Sequence, residues 1–192
     1  MALITAAISP RADGGRVVFS PDTADLTLWL APSASREAAR QQARQWLGEL
    51  VGQPAETLPW VCDDQGKPRL DGIPLSFNLS HGRGWMALAW SRTLPAVGVD
   101  LETLGRQQDR ARLAARYFHP AEQALAGNEP DWLAIWTRKE AVVKAHGLGL
   151  RLTLSSLDTT TSPVQHQALG SWALTTVRLG DIALCSVSWP AG

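Results

Sequence analysis

Residues 97–102 read Val-Gly-Val-Asp-Leu-Glu, and this stretch decides the fold that we predict for the chain. Its apolar residues indicate a strand, and the two-residue period of a strand turns the carboxylates of Asp100 and Glu102 to one face. Neighbouring carboxylates repel each other unless a cation compensates them, and Mg²⁺ prefers such oxygen ligands. The pair is therefore a candidate metal site, although taken alone it also fits a strand end that faces solvent.

The helix predicted over 130–146 carries the second cluster of reactive side chains. Residues 136–144 read Trp-Thr-Arg-Lys-Glu-Ala-Val-Val-Lys, so Trp136, Glu140 and Lys144 recur every four residues on one face. Glu140 is a candidate third metal ligand or general base. Lys144 is a candidate partner for a phosphate or for the nucleophile, with an ordinary surface ion pair to Glu140 as the alternative.

Hydrophobic periodicity along the rest of the chain predicts an α+β fold. Strands are predicted over residues 2–8, 16–19, 26–30, 75–79, 86–90, 96–101, 152–157, 172–179 and 182–189. Helices are predicted over 35–51, 109–117, 120–125 and 130–146, with Gly52 and Gly147 as stops and a two-residue hairpin turn at Gly180-Asp181. Since each half of the chain offers strands, a long helix and a small antiparallel sheet, we predict two similar subdomains, residues 1–95 and 96–192.

Composition excludes several classes of function. Lys and Arg together balance Asp and Glu at 18 each, so no overall field draws the chain to nucleic acid or to an anionic membrane. No apolar run approaches the roughly 18 residues of a membrane helix, and residues 1–10 do not read as a secretory leader. Cys62 and Cys185 lie far apart without a metal-binding cysteine motif, which is typical of reduced thiols in the cytoplasm.

The first half of the chain adds basic candidates. Arg36, Arg40 and Arg44 recur every four residues on the first long helix and form a basic stripe, which either faces solvent or contacts phosphate in part. His81 follows a predicted strand, and as an isolated residue it also fits a structural histidine. An anion site would have to be built from local groups such as these, because the net charge is zero.

In order along the chain, these motifs resemble the larger, surfactin-synthetase-activating type of the 4′-phosphopantetheinyl transferase family. The matching motifs are Gly66-Lys67-Pro68, Phe77-Asn78-Leu79-Ser80-His81, Gly98-Val99-Asp100-Leu101-Glu102, Arg116-Tyr117-Phe118 with Glu122, and residues 136–144 followed by Gly147-Leu148-Gly149-Leu150. Each motif alone is weakly specific. The ordered set is strongly specific, because unrelated α+β proteins have no reason to carry all five.

The resemblance implies a fold and a set of site residues. The fold would be a pseudo-twofold pair of similar α/β subdomains with the active site between the halves. The implied magnesium ligands are Asp100, Glu102 and Glu140. The implied contacts to coenzyme A are Ser80, His81, Lys139 and Lys144 at the phosphates, Gly66-Lys67-Pro68 near the adenine, and Arg36 at the 3′-phosphate, with Arg40 as the second match. No lysine precedes Lys67, so the lysines that some family members place upstream have no counterpart here. The implied catalytic group is Glu140, Lys144 and His81.

The activity that the resemblance implies is transfer of the 4′-phosphopantetheine group of coenzyme A to a serine of an acyl or peptidyl carrier protein, with release of 3′,5′-ADP. Mg²⁺, with Mn²⁺ as a substitute, and coenzyme A as co-substrate are the expected small molecules. Carriers of this kind are small acidic helical bundles, so the arginine-rich residues 106–116 are a candidate docking face, with a solvated amphipathic helix as the alternative. A monomer is expected, since one chain holds both halves.

The alternative function is a non-catalytic module that binds coenzyme A or a carrier protein. The complete set of three acidic residues argues against it. A different Mg²⁺-dependent nucleotide enzyme is a further alternative, but it would be expected to carry a glycine-rich phosphate loop, and the sequence has neither the Walker-type nor the dinucleotide-type pattern.

Overall fold

The structure is a computed structural model that describes residues 6–8, 17–19, 25–64, 66–105, 107–147 and 152–192. Its strands are β1 (Ala6–Ile8), β2 (Val17–Phe19), β3 (Thr27–Pro32), β4 (Trp60–Cys62), β5 (Pro68–Leu70), β6 (Ser76–Gly82), β7 (Trp85–Ser91), β8 (Gly98–Thr103), β9 (Val164–His166), β10 (Gly170–Leu179) and β11 (Ala183–Pro190). Its helices are α1 (Arg36–Val51), α2 (Arg110–Tyr117), α3 (Pro120–Gln123) and α4 (Glu129–His146). The predicted α+β class is confirmed.

Two sheets of similar connectivity form the framework. The first has the order β2-β3-β7-β6, and the second has the order β1-β10-β11-β8, with β9 beside β10. In each sheet a strand is followed by a long helix and a hairpin, as β3-α1-β6-β7 and as β8-α4-β10-β11, and the second hairpin strand lies in the middle. This repeat of connectivity has no counterpart that we detect in the sequence. β1 departs from the division at residue 95, because it pairs in parallel with β10 of the second sheet.

The core lies between the two sheets and beneath each long helix. Leu28 and Leu30 of β3 pack in one buried cluster with Val99 of β8 and Val187 of β11, because alternate apolar residues of both sheets face each other. α1 covers the other face of the first sheet. α4 does the same for the second sheet, so the order of layers is helix, sheet, sheet, helix.

Both long helices begin and end where the sequence indicates. The Ser35 hydroxyl accepts a hydrogen bond from the amide of Ala38 at 3.1 Å, and Gly52 ends α1 with a left-handed φ of 71°. The Asn128 side chain accepts from Asp131 at the start of α4, and Gly147 ends that helix with φ 86°. The two ends of α4 include Glu140 and Lys144 within the helix, so both residues lie on consecutive turns near its C-terminus.

α4 lies directly against β8 because Gly98 has no side chain. A Cβ at position 98 would come within 2.0 Å of the Ala141 carbonyl oxygen and 2.4 Å of the Ala145 amide nitrogen. Such distances are far below van der Waals contact, so only glycine permits this approach of helix and strand. The approach brings the face of α4 that carries Glu140 and Lys144 beside Asp100.

The edges of the two sheets are joined by side chains of β6. The side-chain Oδ1 of Asn78 accepts from the backbone amide of Val99 at 3.0 Å, and the Ser80 hydroxyl accepts from the backbone amide of Leu101 at 3.2 Å. Two residues of β6, two apart and therefore on one face, thus satisfy the edge of β8. The motif that contains Ser80 therefore has a structural task besides any contact with a ligand.

Several sequence predictions differ from the structure. The strand predicted over 152–157 is wrong: the structure has a 3₁₀ turn at Leu154–Ser156 there. The hairpin between β10 and β11 has a three-residue loop, because Leu179 pairs with Ala183. The β4–β5 hairpin and β9 were not predicted. Predictions on residues 2–5, 16, 106 and 148–150 lie outside the described residues. Among the described helices, none combines the length and the apolar character needed to cross a bilayer.

Candidate active site

Two adjoining cavities open where β6, β8 and α4 meet. The larger has a volume of about 560 Å³ and the smaller about 330 Å³. The larger cavity is lined by Arg36, Gly66, Pro68, Ser80, His81, Asp100, Glu102 and Lys144 among the predicted residues. The smaller is lined by Gly66, Lys67, Pro68, Glu140 and Lys144 among them. Lys144 lies on the wall that the two cavities share, so it marks the junction of the site.

Asp100 is the centre of the polar contacts at this junction. Its Oδ1 accepts from the Lys144 ammonium at 2.6 Å and from the Ser80 hydroxyl at 3.0 Å. Lys144 also lies 3.3 Å from the Ser80 hydroxyl. Burial works to lower the pKa of Lys144, but the charges of Asp100 and Glu140 outweigh it, and the pKa lies above its ordinary value. Lys144 is therefore an ammonium at neutral pH.

The three predicted carboxylates act on each other electrostatically. Burial raises the pKa of Glu140, and the charges of Asp100 and Glu102 raise it further, whereas Lys144 lowers it. Glu102 and Asp100 are two residues apart on β8, so the strand period places them on one face, and both line the larger cavity. Asp100 and Glu102 therefore lie close enough to Glu140 for their charges to act on its pKa.

The donor set suits a hard divalent cation, although the carboxylates do not already form a metal site. Within the described ranges, no group of at least three His, Cys, Asp or Glu side chains is arranged to hold a metal ion. Asp100 Oδ1 instead contacts the Lys144 ammonium, which supplies a positive charge to the acidic cluster. Asp100 Oδ2 is buried and has no hydrogen-bond partner among the described groups. An orphan carboxylate oxygen beside further carboxylates fits the all-oxygen preference of Mg²⁺.

His81 lies next to Ser80 at the end of β6 and lines the larger cavity. Its Nε2 is buried, and no described group forms a hydrogen bond with it. A buried imidazole nitrogen without a partner is costly unless a ligand or water satisfies it. His81 therefore lies in the cavity wall, and its contact with a phosphate stays a prediction.

Gly66 and Lys67 lie in the turn between β4 and β5, and Pro68 begins β5. Asp63 stabilises this turn, because its carbonyl oxygen accepts from the Gly66 amide at 2.9 Å and its Oδ1 accepts from the Lys67 amide at 2.8 Å. The Lys67 ammonium donates to the carbonyl of Ala145 in the last turn of α4 at 2.9 Å. Burial lowers the pKa of Lys67, against the opposing charge of Asp63. Lys67 therefore ties the turn to α4.

The basic stripe of α1 borders the larger cavity along its whole length. Arg36, Arg40 and Arg44 all line it. The guanidinium of Arg44 lies 4.8 Å from the ring centroid of Trp60, a cation–π distance that orients it. The four-residue spacing predicted this common face for all three arginines, whereas the resemblance assigned only Arg36, and Arg40 second, to the 3′-phosphate.

Lys139 is buried away from both cavities, in contradiction to its predicted contact with phosphate. Its side chain is 0% exposed, and its ammonium lies 2.6 Å from Glu122, whose side chain is also 0% exposed. An ammonium enclosed in this way cannot reach a ligand in either cavity. The predicted contact of Lys139 with phosphate is therefore wrong, and the partner of Lys139 is Glu122 in the core.

The predicted docking segment is only partly available to a partner. Arg112 and Arg116 on α2 are exposed, whereas Arg110 pairs with Glu129 at 3.1 Å. Leu113 is half-buried against the core. The exposed part of α2 is therefore basic.

Comparisons with known proteins agree with these motifs. A model of the 4′-phosphopantetheinyl transferase superfamily matches residues 96–187. The chain is 31% identical to the 4′-phosphopantetheinyl transferase HetI of Nostoc sp. over 79% of its own length and 68% of that protein. It is 34% identical to the 4′-phosphopantetheinyl transferase AcpT of Salmonella typhi over 71% and 72%. It is 29% identical to the 4′-phosphopantetheinyl transferase gsp of Aneurinibacillus migulanus over 59%, and it spans 48% of that relative.

Proposed function

Because the chain belongs to the 4′-phosphopantetheinyl transferase superfamily, we propose that it transfers the 4′-phosphopantetheine group of coenzyme A to a serine of an acyl or peptidyl carrier protein and releases 3′,5′-ADP. The observation that carries the proposal is the junction of the two cavities, where Lys144, Asp100 and Glu140 meet. A pyrophosphate is the part of coenzyme A whose chemistry this junction suits.

The larger cavity suits the nucleotide half of coenzyme A. Arg36, Arg40 and Arg44 give it a local positive charge, which a chain with zero net charge must build for itself. His81 lines the same cavity, and a bound phosphate could satisfy its buried Nε2, which lacks a partner among the described groups, if the ring turned towards the cavity. These residues would hold the 3′-phosphate and one end of the pyrophosphate.

Asp100, Glu102 and Glu140 are the proposed ligands of a magnesium ion. When bound, the ion would supply Lewis-acid stabilisation of the charge that develops on the pyrophosphate oxygens. Ser80 would keep the Asp100 carboxylate oriented, since its hydroxyl donates to Oδ1 at 3.0 Å. Lys144 would then be drawn from Asp100 towards the phosphate, because both are anionic acceptors within reach of the junction.

The reaction is a displacement at the phosphorus atom nearer the pantetheine. The carrier serine oxygen forms a bond to that phosphorus, and the bond from phosphorus to the bridging oxygen breaks, so that 3′,5′-ADP leaves. The serine proton needs an acceptor, and Glu140, which lines the smaller cavity together with Lys144, is the proposed base, either directly or through a metal-held water. Lys144 stabilises the charge on the phosphate that leaves, at a point where preorganised electrostatics gives most of the acceleration.

Chelation of divalent metal is expected to abolish transfer. Three carboxylates around one phosphate site repel the substrate unless a cation compensates them, so EDTA should reduce the rate to background, and Mg²⁺ or Mn²⁺ should restore it. Release of 3′,5′-ADP after dialysis and metal titration measures this. Full activity in EDTA would contradict the metal-dependent form of the proposal.

Lys144→Ala is expected to lower kcat by about 10²-fold, which is typical for loss of one preorganised electrostatic donor. The fold should survive, because the Lys144 side chain is 31% exposed, so water can replace part of what the side chain contacts. Steady-state kinetics and thermal unfolding check this, with Arg178→Met as the control, since Arg178 pairs with the exposed Asp181 away from both cavities. A change in melting temperature with kcat unaltered would make Lys144 structural.

Exposed arginines, free thiols and the cavity walls support proposals for the partner surface, the compartment and the oligomeric state. Arg112 and Arg116 on the exposed side of α2 would attract an acidic carrier. Cys62 is exposed and Cys185 is buried, and both are free thiols, which fits the cytoplasm. The chain supplies Asp100, Glu102, Glu140 and Lys144 to these cavities itself, so the proposed oligomeric state is a monomer.

The alternative is a module that binds coenzyme A or a carrier and transfers nothing. Incubation with coenzyme A, Mg²⁺ and apo carriers from fatty-acid, polyketide and peptide synthesis separates the two functions. The transferase should release 3′,5′-ADP only when a suitable carrier is present. A binding module would bind coenzyme A and release none.

A further inference from the structure

Lys139 forms the centre of a buried polar network that the proposed reaction does not use. Its ammonium lies 2.6 Å from Glu122 Oε2 and donates to the carbonyls of Leu154, at 2.8 Å, and of Leu157. An ammonium has three donors, and these three acceptors engage all of them. No donor of Lys139 is left for a ligand.

Glu122 is satisfied to the same degree. Its Oε2 also accepts from the His119 amide at 2.7 Å, and its Oε1 accepts from the amide and the hydroxyl of Thr159 at 2.8 and 2.7 Å. The pair therefore connects α3, α4 and the segment 152–161. Arg138 adds to this connection, because its guanidinium donates to the carbonyls of Thr159 at 2.7 Å and Thr161 at 2.9 Å.

The network reaches the smaller cavity through Leu154. Leu154 and Glu140 both line that cavity, and Glu140 is the next residue after Lys139 on α4. The ammonium that holds the Leu154 carbonyl thus sets how far this wall stands from the helix that carries Glu140. A shift of the wall would change the space beside the reacting phosphate.

Energetics explains why such a pair would act on geometry more than on stability. Replacing a buried ion pair by apolar side chains of similar volume is often neutral or stabilising, whereas removal of one partner alone is strongly destabilising, because it leaves a buried charge uncompensated. A fully satisfied polar network, in contrast, holds its members in one arrangement. The expected effect of the network is that the wall of the smaller cavity at Leu154 keeps one position.

We propose that Glu122 and Lys139 are positioning residues, whose buried ion pair holds the Leu154–Ser156 turn against α4 and thereby fixes the wall of the cavity that faces the reaction, while Lys139 makes no contact with coenzyme A. This inference rests on the proposed function for its kinetic consequence. Its structural consequence, the anchoring of residues 154–159, does not depend on that function.

The test compares Glu122→Gln, Lys139→Met and the double variant with the parent. Four quantities are measured: the melting temperature, kcat and KM for coenzyme A, the Kd of 3′,5′-ADP by calorimetry, and amide hydrogen exchange of residues 154–159. Val177→Ala, a buried residue of β10 outside both cavity walls, is the control for loss of stability alone.

Lys139→Met should lower kcat by about 10-fold or more, since small misplacements at a reacting centre have effects of that order. The Kd of 3′,5′-ADP should stay within about twofold, because this ligand carries phosphates that Lys139 does not touch. Exchange at residues 154–159 should accelerate. The double variant should regain much of the melting temperature, because no charge is left uncompensated, but it should not regain kcat. Val177→Ala should lose melting temperature and keep kcat.

Two results would overturn the inference. A tenfold or greater rise in the Kd of 3′,5′-ADP for Lys139→Met, without one for Glu122→Gln, would make Lys139 a phosphate ligand. Recovery of kcat together with melting temperature in the double variant would make the pair merely structural. If Lys139→Met fails to fold, Glu122→Gln decides: unaltered kcat and unaltered exchange contradict the proposal. A parent that transfers nothing contradicts the proposed function, and hydrogen exchange alone then tests the anchoring.

Discussion

Asp100→Ala is expected to lower turnover by about 10³-fold, because this one residue would both bind the metal and orient the neighbouring groups of the site. Asp100 holds Lys144 at 2.6 Å and Ser80 at 3.0 Å, and its second oxygen is the buried one without a described partner. Steady-state release of 3′,5′-ADP at saturating Mg²⁺ measures the loss.

The loss should appear in catalysis and not in folding. We expect the free energy of unfolding to change by less than about 2 kcal/mol, because Lys144 is partly exposed and can be hydrated once Asp100 is gone. Asp100→Asn, which keeps the shape, should lose nearly as much activity if charge is the cause. Asp181→Ala removes an exposed carboxylate at the β10–β11 hairpin and should leave turnover intact. Near-parental turnover of Asp100→Ala would remove Asp100 from the site.

Gly98→Ala should lower the free energy of unfolding by about 3 kcal/mol or more, at the upper end of overpacking effects. The added Cβ would lie 2.0 Å from the Ala141 carbonyl oxygen and 2.4 Å from the Ala145 amide nitrogen, both backbone atoms of α4 that no rotamer change can move. The helix must therefore move away from β8. Since β8 carries Asp100 and α4 carries Glu140 and Lys144, turnover of the folded fraction should also fall.

Urea unfolding of Gly98→Ala and of Gly127→Ala provides a matched comparison. A Cβ at Gly127 would meet no atom within 4 Å, so that variant should unfold within about 0.5 kcal/mol of the parent, as substitutions away from packed features do. Equal midpoints for the two variants would show that the contact between α4 and β8 is looser than described.

Where local spacing decides the outcome, the sequence was sufficient. Asp100 and Glu102 share a face because a strand repeats every two residues, and Glu140 and Lys144 share one because a helix repeats every 3.6. The ends of α4 followed from Pro130 near its start and Gly147 after its end. That these elements would meet was implied by resemblance alone, and the close approach at Gly98 gives its physical basis.

Where contacts between distant segments decide the outcome, the sequence was not sufficient. Lys139 is one residue before Glu140 on α4 and therefore lies about 100° around the helix from it. It cannot share the face of α4 that carries Glu140. Its partner in the core is Glu122, which is 17 positions away in the sequence. The apolar residues over 152–157 resemble a strand, but their backbone is held as a turn by the carbonyl contacts of Leu154 and Leu157 with Lys139. The hydrophobic periodicity of a sequence does not reveal which distant side chains bind a given segment.

The intact mass of an apo carrier protein, before and after incubation with this chain, coenzyme A and Mg²⁺, tests the central claim most directly. The account predicts that a suitable carrier gains the mass of one phosphopantetheinyl group, and that a carrier whose acceptor serine is replaced by alanine gains nothing. If the folded protein binds coenzyme A but adds no mass to any fatty-acid, polyketide or peptide carrier, the assignment as a transferase is contradicted.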